Sequence, residues 1–133
     1  MSAFHQKIST PDGLKFDGQV ERLRVRMIDG DVCLLARHTD YVSAVGVGEA
    51  AIVTEDGQTR YAACIGGMLA MIHNEANLIA TTFEWADEID LDRAVRAKEA
   101  AQARIAEAKN DAKELMLASA KLQRALVRIN VKH

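Results

Sequence analysis

Glycine and proline stop half-way along this chain. All eight glycines and the single proline lie at or before Gly67, and the 66 residues that follow contain neither. These two residues punctuate turns, and their absence permits long unbroken helices, so the distribution predicts a turn-rich half followed by a helical half. The rest of the composition shifts with it. From Ala86 onward there are 12 alanines in 48 residues and a net charge of +2, whereas residues 1–85 carry −4. A chain of 133 residues is one ordinary domain or two very small ones. The boundary is expected near Trp85, giving one unit over residues 1–86 and a second over 87–133.

The first half is read by its period. In Val20 to Met27, Leu23, Val25 and Met27 alternate with Arg22, Arg24 and Arg26, the pattern of a strand with one wet face. Turn signals recur at Thr10-Pro11-Asp12-Gly13, Asp17-Gly18, Asp29-Gly30, Asp56-Gly57 and Asn74 to Asn77. Gly46-Val47-Gly48 and Gly66-Gly67 read as bulges or turns. The intervening segments are Val32–Ala36, Tyr41–Val45, Ala50–Thr54, Arg60–Ile65, Met68–His73 and Leu78–Phe83. Such spacing predicts roughly nine short strands in an antiparallel beta-sandwich or barrel.

The second half has the helical period. Ala94, Ala97, Ala101, Ile105 and Ala108 define one face of a helix over Asp90 to Lys109. Asn110-Asp111 interrupts it, and Asp111 with Glu114 forms a capping box for a second helix. Its stripe is Leu115, Ala118, Leu122, Ala125 or Leu126, and Ile129. The fold class is therefore α+β, an N-terminal antiparallel beta-sandwich followed by an antiparallel two-helix hairpin with arms about 30 Å long. A seam of alanine methyls buries little area, at roughly 25 cal/mol per Å², while each arm is rich in strong helix formers. The hairpin is either permanently docked or a bistable pair of rods that opens without losing helicity.

Catalytic chemistry has no visible carrier. The histidines His5, His38, His73 and His133 lack metal-ligand spacing, so no metal site is expected. Cys64 lies in an apolar run and reads as a small buried hydrophobe. The glycine pairs lack a phosphate-loop lysine, and His38 with Asp40 has no third group converging on it. A net charge of −2 argues against nucleic acid. No apolar run is long enough to span a membrane, the start Met1 to Thr10 lacks a secretory signal, and two cysteines imply no disulfide framework. The last helix is basic, with Lys113, Lys121, Arg124, Arg128 and Lys132 against Glu114. It is either a solvated face or a surface for an acidic partner or a phosphate ligand, and Arg124 and Arg128 are spaced to share one polyphosphate.

In order and spacing these features resemble the epsilon subunit of F-type ATP synthases. The resemblance runs through Thr10 to Gly13, Phe16 to Glu21, Asp29 to His38, Tyr61 to Gly67, Asp87 to Asp90 and the closing Arg124 to Val131. This chain has Ala36-Arg37-His38-Thr39-Asp40 where the family usually has P-G-H-A-P. The resemblance implies a non-catalytic stalk subunit whose sandwich clamps the gamma subunit and sits on the c-ring, with Asp31 and His38 in the loop that faces the ring. It also implies a hairpin that extends toward the alpha and beta subunits and inhibits ATP hydrolysis. No cofactor is required. A regulatory ATP would bind through Ile89, Asp90, Arg93 and Ala94, completing the family's motif, with Arg124 and Arg128; the family's further arginine falls at Ala100. The membrane is met only through the complex, at the cytoplasmic face of the bacterial inner membrane. A stand-alone ATP-sensing adaptor, closed by nucleotide, is the alternative.

Overall fold

The computed structural model describes residues 2–132, so His133 lies outside the described residues. Seven strands precede two helices: β1 (Phe4–Thr10), β2 (Gly13–Met27), β3 (Gly30–Leu35), β4 (Tyr41–Ala44), β5 (Val47–Thr54), β6 (Thr59–Ile72) and β7 (Glu75–Trp85), then α1 (Leu91–Glu107) and α2 (Ala112–Lys132). The chain divides into two compact units between Trp85 and Ala86.

The strands form one sheet in the order β1-β7-β6-β5-β2-β3, with β4 paired to β6 and β1 paired to β2, so the sheet folds back on itself. Two long strands make this possible. β2 pairs with β1 along its first part and with β3 and β5 along its second, and its register shifts between Val20 and Arg22. β6 pairs with β5 up to Ile65 and with β4 from Met68. The enclosed core holds Phe4, Ile8, Leu23, Val25, Leu34, Ile52, Leu69, Met71 and Leu78. These come from the alternating inward positions of six strands, as a half-buried pleat requires.

The architecture is the expected sandwich followed by two helices, with differences in detail. There are seven strands among the described residues rather than nine, because two glycine signals do not turn the chain. Asp17 and Gly18 lie within β2, paired to Lys7 and Gln6. Gly66 and Gly67 lie within β6, whose register against β7 continues from Ile65↔Thr82 to Gly67↔Ala80. There β6 changes neighbour, with Gly66 N–H donating to Gly46 O at 2.9 Å and Val45 N–H to Gly67 O at 2.9 Å. Both glycines have positive φ, and a Cβ on Gly67 would lie 2.0 Å from Ile79 O, so only glycine fits. The sheet is also not wholly antiparallel, since β1 runs parallel to β7 from His5↔Glu75 to Ser9↔Ile79.

In the second unit, Asp90 caps α1, its Oδ1 accepting the Arg93 N–H at 3.1 Å. Asp111 Oδ1 accepts from the N–H groups of Lys113 and Glu114, both at 3.1 Å, and starts α2. Only half of the predicted capping box forms, because Glu114 instead accepts from Arg104 Nη1 across the hairpin at 3.3 Å. The buried seam is narrower than expected. Ala94, Ala101 and Ala108 are buried along one helix, Ala118 and Ala125 along the other, whereas Ala97 is exposed. These positions repeat every seven residues, the spacing that keeps one line of each helix against its neighbour. At the ambiguous position Ala125 faces inward, and Leu115 and Leu126 are exposed.

Candidate functional site

Two regions gather the residues singled out above, one in each unit. In the first, β3 ends at Leu35 and the chain turns through residues 36–40 before β4. His38 N–H donates to Leu35 O at 3.2 Å, its Nδ1 lies 2.7 Å from Thr39 O, and its ring meets Tyr41 edge-on with centroids 6.0 Å apart. The loop is tied to the turn between β6 and β7. Asn74 Oδ1 accepts the Arg37 N–H at 2.6 Å, and Asp40 Oδ1 accepts the His73 N–H at 3.0 Å. These ties join segments more than 30 residues apart, and no local spacing signals them.

Asp31 is not in that loop. It lies at the opposite end of β3, opposite Arg26 in the β2 register, 4.0 Å from Arg24 Nη1 and 3.9 Å from Arg26 Nη1. At about 3.3 Å per residue, β3 carries Asp31 roughly 13 Å from Leu35, where the His38 loop begins. Arg24 also holds Glu49 at 2.6 Å, so Arg24 and Arg26 of β2 form an outward ladder of ion pairs. His5, on β1, bridges toward two carboxylates, 2.5 Å from Asp17 and 4.0 Å from Glu75. The hydrogen bond from His5 holds the Asp17 carboxyl below its usual range. No local signal marks this cross-strand pair, because Asp17-Gly18 has the chemistry of a turn.

In the second unit, two bonds set how the helices run past each other. Lys132 Nζ donates to Ala86 O at 3.1 Å, and Arg104 pairs with Glu114. Both pairs are centred on residue 109, so the helices are antiparallel without slip. That register brings Ile89, Asp90, Arg93 and Ala94 to the same end of the hairpin as Arg124 and Arg128. Ile89 and Ala94 are buried, Arg93 is exposed, and Arg124 and Arg128 are half-buried. Asp90 already spends one carboxylate oxygen on the helix cap.

The remaining candidates are structural. Cys64 is buried in β6, and burial pushes its thiol up to about 12, which leaves it inert as a nucleophile. Among the described residues, no three His, Cys, Asp or Glu side chains gather as a metal cage.

Comparison with known families follows the same division. Residues 3–86 match the ATP synthase delta/epsilon chain beta-sandwich domain, and residues 87–132 match the delta/epsilon chain long alpha-helix domain. The chain belongs to the epsilon subunit family of F-type ATP synthases. It is 36% identical over 131 residues to the ATP synthase epsilon chain of Caldicellulosiruptor bescii, covering 98% of this chain and 94% of that one. It is 36% identical over 108 residues to the sodium ion specific ATP synthase epsilon chain of Acetobacterium woodii, covering 81% of each. A chain in the Euglena gracilis mitochondrial ATP synthase structure, solved with OSCP, F1 and the c-ring, superposes with a TM-score of 0.87. It is 17% identical, with 100% of this chain and 83% of that chain covered, and has the same fold.

Proposed function

We propose that this epsilon subunit is a non-catalytic part of the central stalk, linking the gamma subunit to the c-ring and restraining ATP hydrolysis through its two helices. The observation that carries the regulatory half is the alanine seam. Ala94, Ala101, Ala108, Ala118 and Ala125 are the buried small residues along it, and methyl contacts hold the helices together weakly relative to a leucine seam. The helices keep their own caps at Asp90 and Asp111 when separated. An opened pair exposes a basic rod that suits acidic surfaces on the alpha and beta subunits.

The β-sandwich supplies the anchor. His38, in the loop tied to the β6–β7 turn, and Asp31, in the arginine ladder, are the proposed contacts with the c-ring and gamma. No helix of the described residues is long and apolar enough to cross a membrane. The protein reaches the cytoplasmic face of the bacterial inner membrane through its complex. Relatives that match nearly the whole chain are ATP synthase epsilon chains, which favours this reading over a free-standing adaptor.

A regulatory ATP at the base of the closed hairpin fits the convergence of Arg93, Arg124 and Arg128 on one end. Titration calorimetry of the full chain with ATP is expected to give saturable heat that Arg93→Ala reduces; no heat at millimolar ATP ends this part. For the main reading, truncation after Trp85 is expected to leave the assembled complex intact and raise its ATPase rate. Unchanged hydrolysis under inhibiting conditions would sink the inhibitory role.

A further inference from the structure

The loop over residues 36–40 adopts a shape that its own side chains do not favour. Arg37 has φ 66°, in the left-handed region, where a residue with a Cβ is disfavoured by roughly 1–2 kcal/mol. The family pattern P-G-H-A-P puts glycine at this position, which takes that conformation freely, between two prolines that stiffen the chain. Here all three are absent, and Ala36, Arg37 and Asp40 stand in their places.

Two reciprocal hydrogen bonds take over the same task. Asn74 Oδ1 holds the Arg37 N–H at 2.6 Å, and Asp40 Oδ1 holds the His73 N–H at 3.0 Å. Each segment thus lends a side chain to the main chain of the other. The turn that supplies Asn74 is itself firmly shaped: His73 and Asn74 have φ 50° and 65°, and Ile72 pairs with Glu75 on either side. That is a two-residue hairpin turn of the primed kind, whose twist matches its strands, and asparagine tolerates the left-handed region well. Asn74 is half-buried and is anchored by the sheet rather than by the loop that it restrains.

We propose that Asn74 and Asp40 are positioning residues that hold Arg37 and His38 in the shape that meets the c-ring, fixing by side-chain hydrogen bonds a loop that has neither glycine nor proline. This rests on the reading of the His38 loop as a c-ring contact. The clamp itself stands on geometry within the sandwich and is tested apart from that reading.

Amide hydrogen exchange on the full chain tests the clamp. Asn74→Ala is expected to raise exchange at Arg37 and His38 by about five- to tenfold, the effect of one lost hydrogen bond, with the β2 and β5 amides unchanged. Asp40→Ala should act the same way from the other side, and Arg37→Gly added to Asn74→Ala should recover part of the protection. Unchanged exchange in both single variants overturns the clamp. ATP-driven ion pumping by complexes rebuilt with each variant tests the positioning. His38→Ala and Asn74→Ala are both expected to lower pumping per ATP hydrolysed. If His38→Ala lowers it and Asn74→Ala does not, the positioning role is wrong and the contact reading stands. If His38→Ala has no effect, the contact reading and the positioning role both fall, while exchange still decides the clamp.

Discussion

The guanidinium of Arg60 lies over the ring of Trp85, 3.7 Å from its centroid. Trp85 also meets Phe83 and Phe16 edge-on, at centroid distances of 4.9 and 6.2 Å. These contacts fix the last residue of β7, so the first unit stays ordered up to the residue before Ala86. Arg60→Ala should destabilise the sandwich by about 0.5–1 kcal/mol, the worth of an exposed cation–π contact. Denaturation followed by the fluorescence of this one tryptophan reads the change directly, and an unchanged midpoint would mean that the stacking contributes nothing.

The alanine seam predicts the effect of a lock. Cysteines in place of Ala101 and Ala118, which lie at matching levels of the hairpin, should form a disulfide under oxidation in a Cys33→Ser background. The locked subunit is expected to relieve inhibition of ATP hydrolysis as truncation does, and reduction should restore it. Normal inhibition by the locked form would show that the helices act without separating.

Glycine positions separate steric necessity from simple turn chemistry. Gly67→Ala puts a Cβ 2.0 Å from Ile79 O and 2.8 Å from Ala80 Cα, backbone atoms that cannot yield without opening β7. A loss of about 3 kcal/mol or more is expected, in the range of overpacked cores. Gly57→Ala, at φ 83° with nothing within 4 Å, should lose only about 1 kcal/mol, the cost of the left-handed backbone. Equal losses in thermal denaturation would refute the steric account of β6.

Acid stability depends on the cross-strand pair of β1 and β2. The hydrogen bond from His5 lowers the Asp17 carboxyl below its ordinary 3.8. The folded state therefore binds this proton less readily than the unfolded one, and the pair's contribution is present above 3.8 and lost as pH falls through the lowered folded value. His5→Ala should return the Asp17 titration, followed by NMR of its carboxyl carbon, toward 3.8. An unmoved titration would assign the shift to another cause.

Much of this could be read from one dimension. The alternation of Leu23, Val25 and Met27 with arginines marks the inward and outward faces of β2, and Asp90 and Asp111 mark both helix starts. What eluded such reading has a common character. Asp17-Gly18 and Gly66-Gly67 carry turn chemistry, yet pairing with β1 and β7 holds them in strands, because ladder hydrogen bonds outweigh a local preference. The heptad line through Ala94, Ala101 and Ala108 excludes Ala97, which a looser helical period admits.

The sequence by itself determined the two-part plan, the caps, the alanine content of the helical pair and, through its ordered motifs, the family. Those properties depend on neighbours a few residues apart, where propensity and periodicity act. Only the tertiary structure decided that Asp31 and His38 lie at opposite ends of β3, that β1 runs parallel to β7, and that Asn74 grips the amide of Arg37. The last two join chain segments far apart in sequence, and the energy that selects them comes from closing the sheet around one core, which no local signal contains.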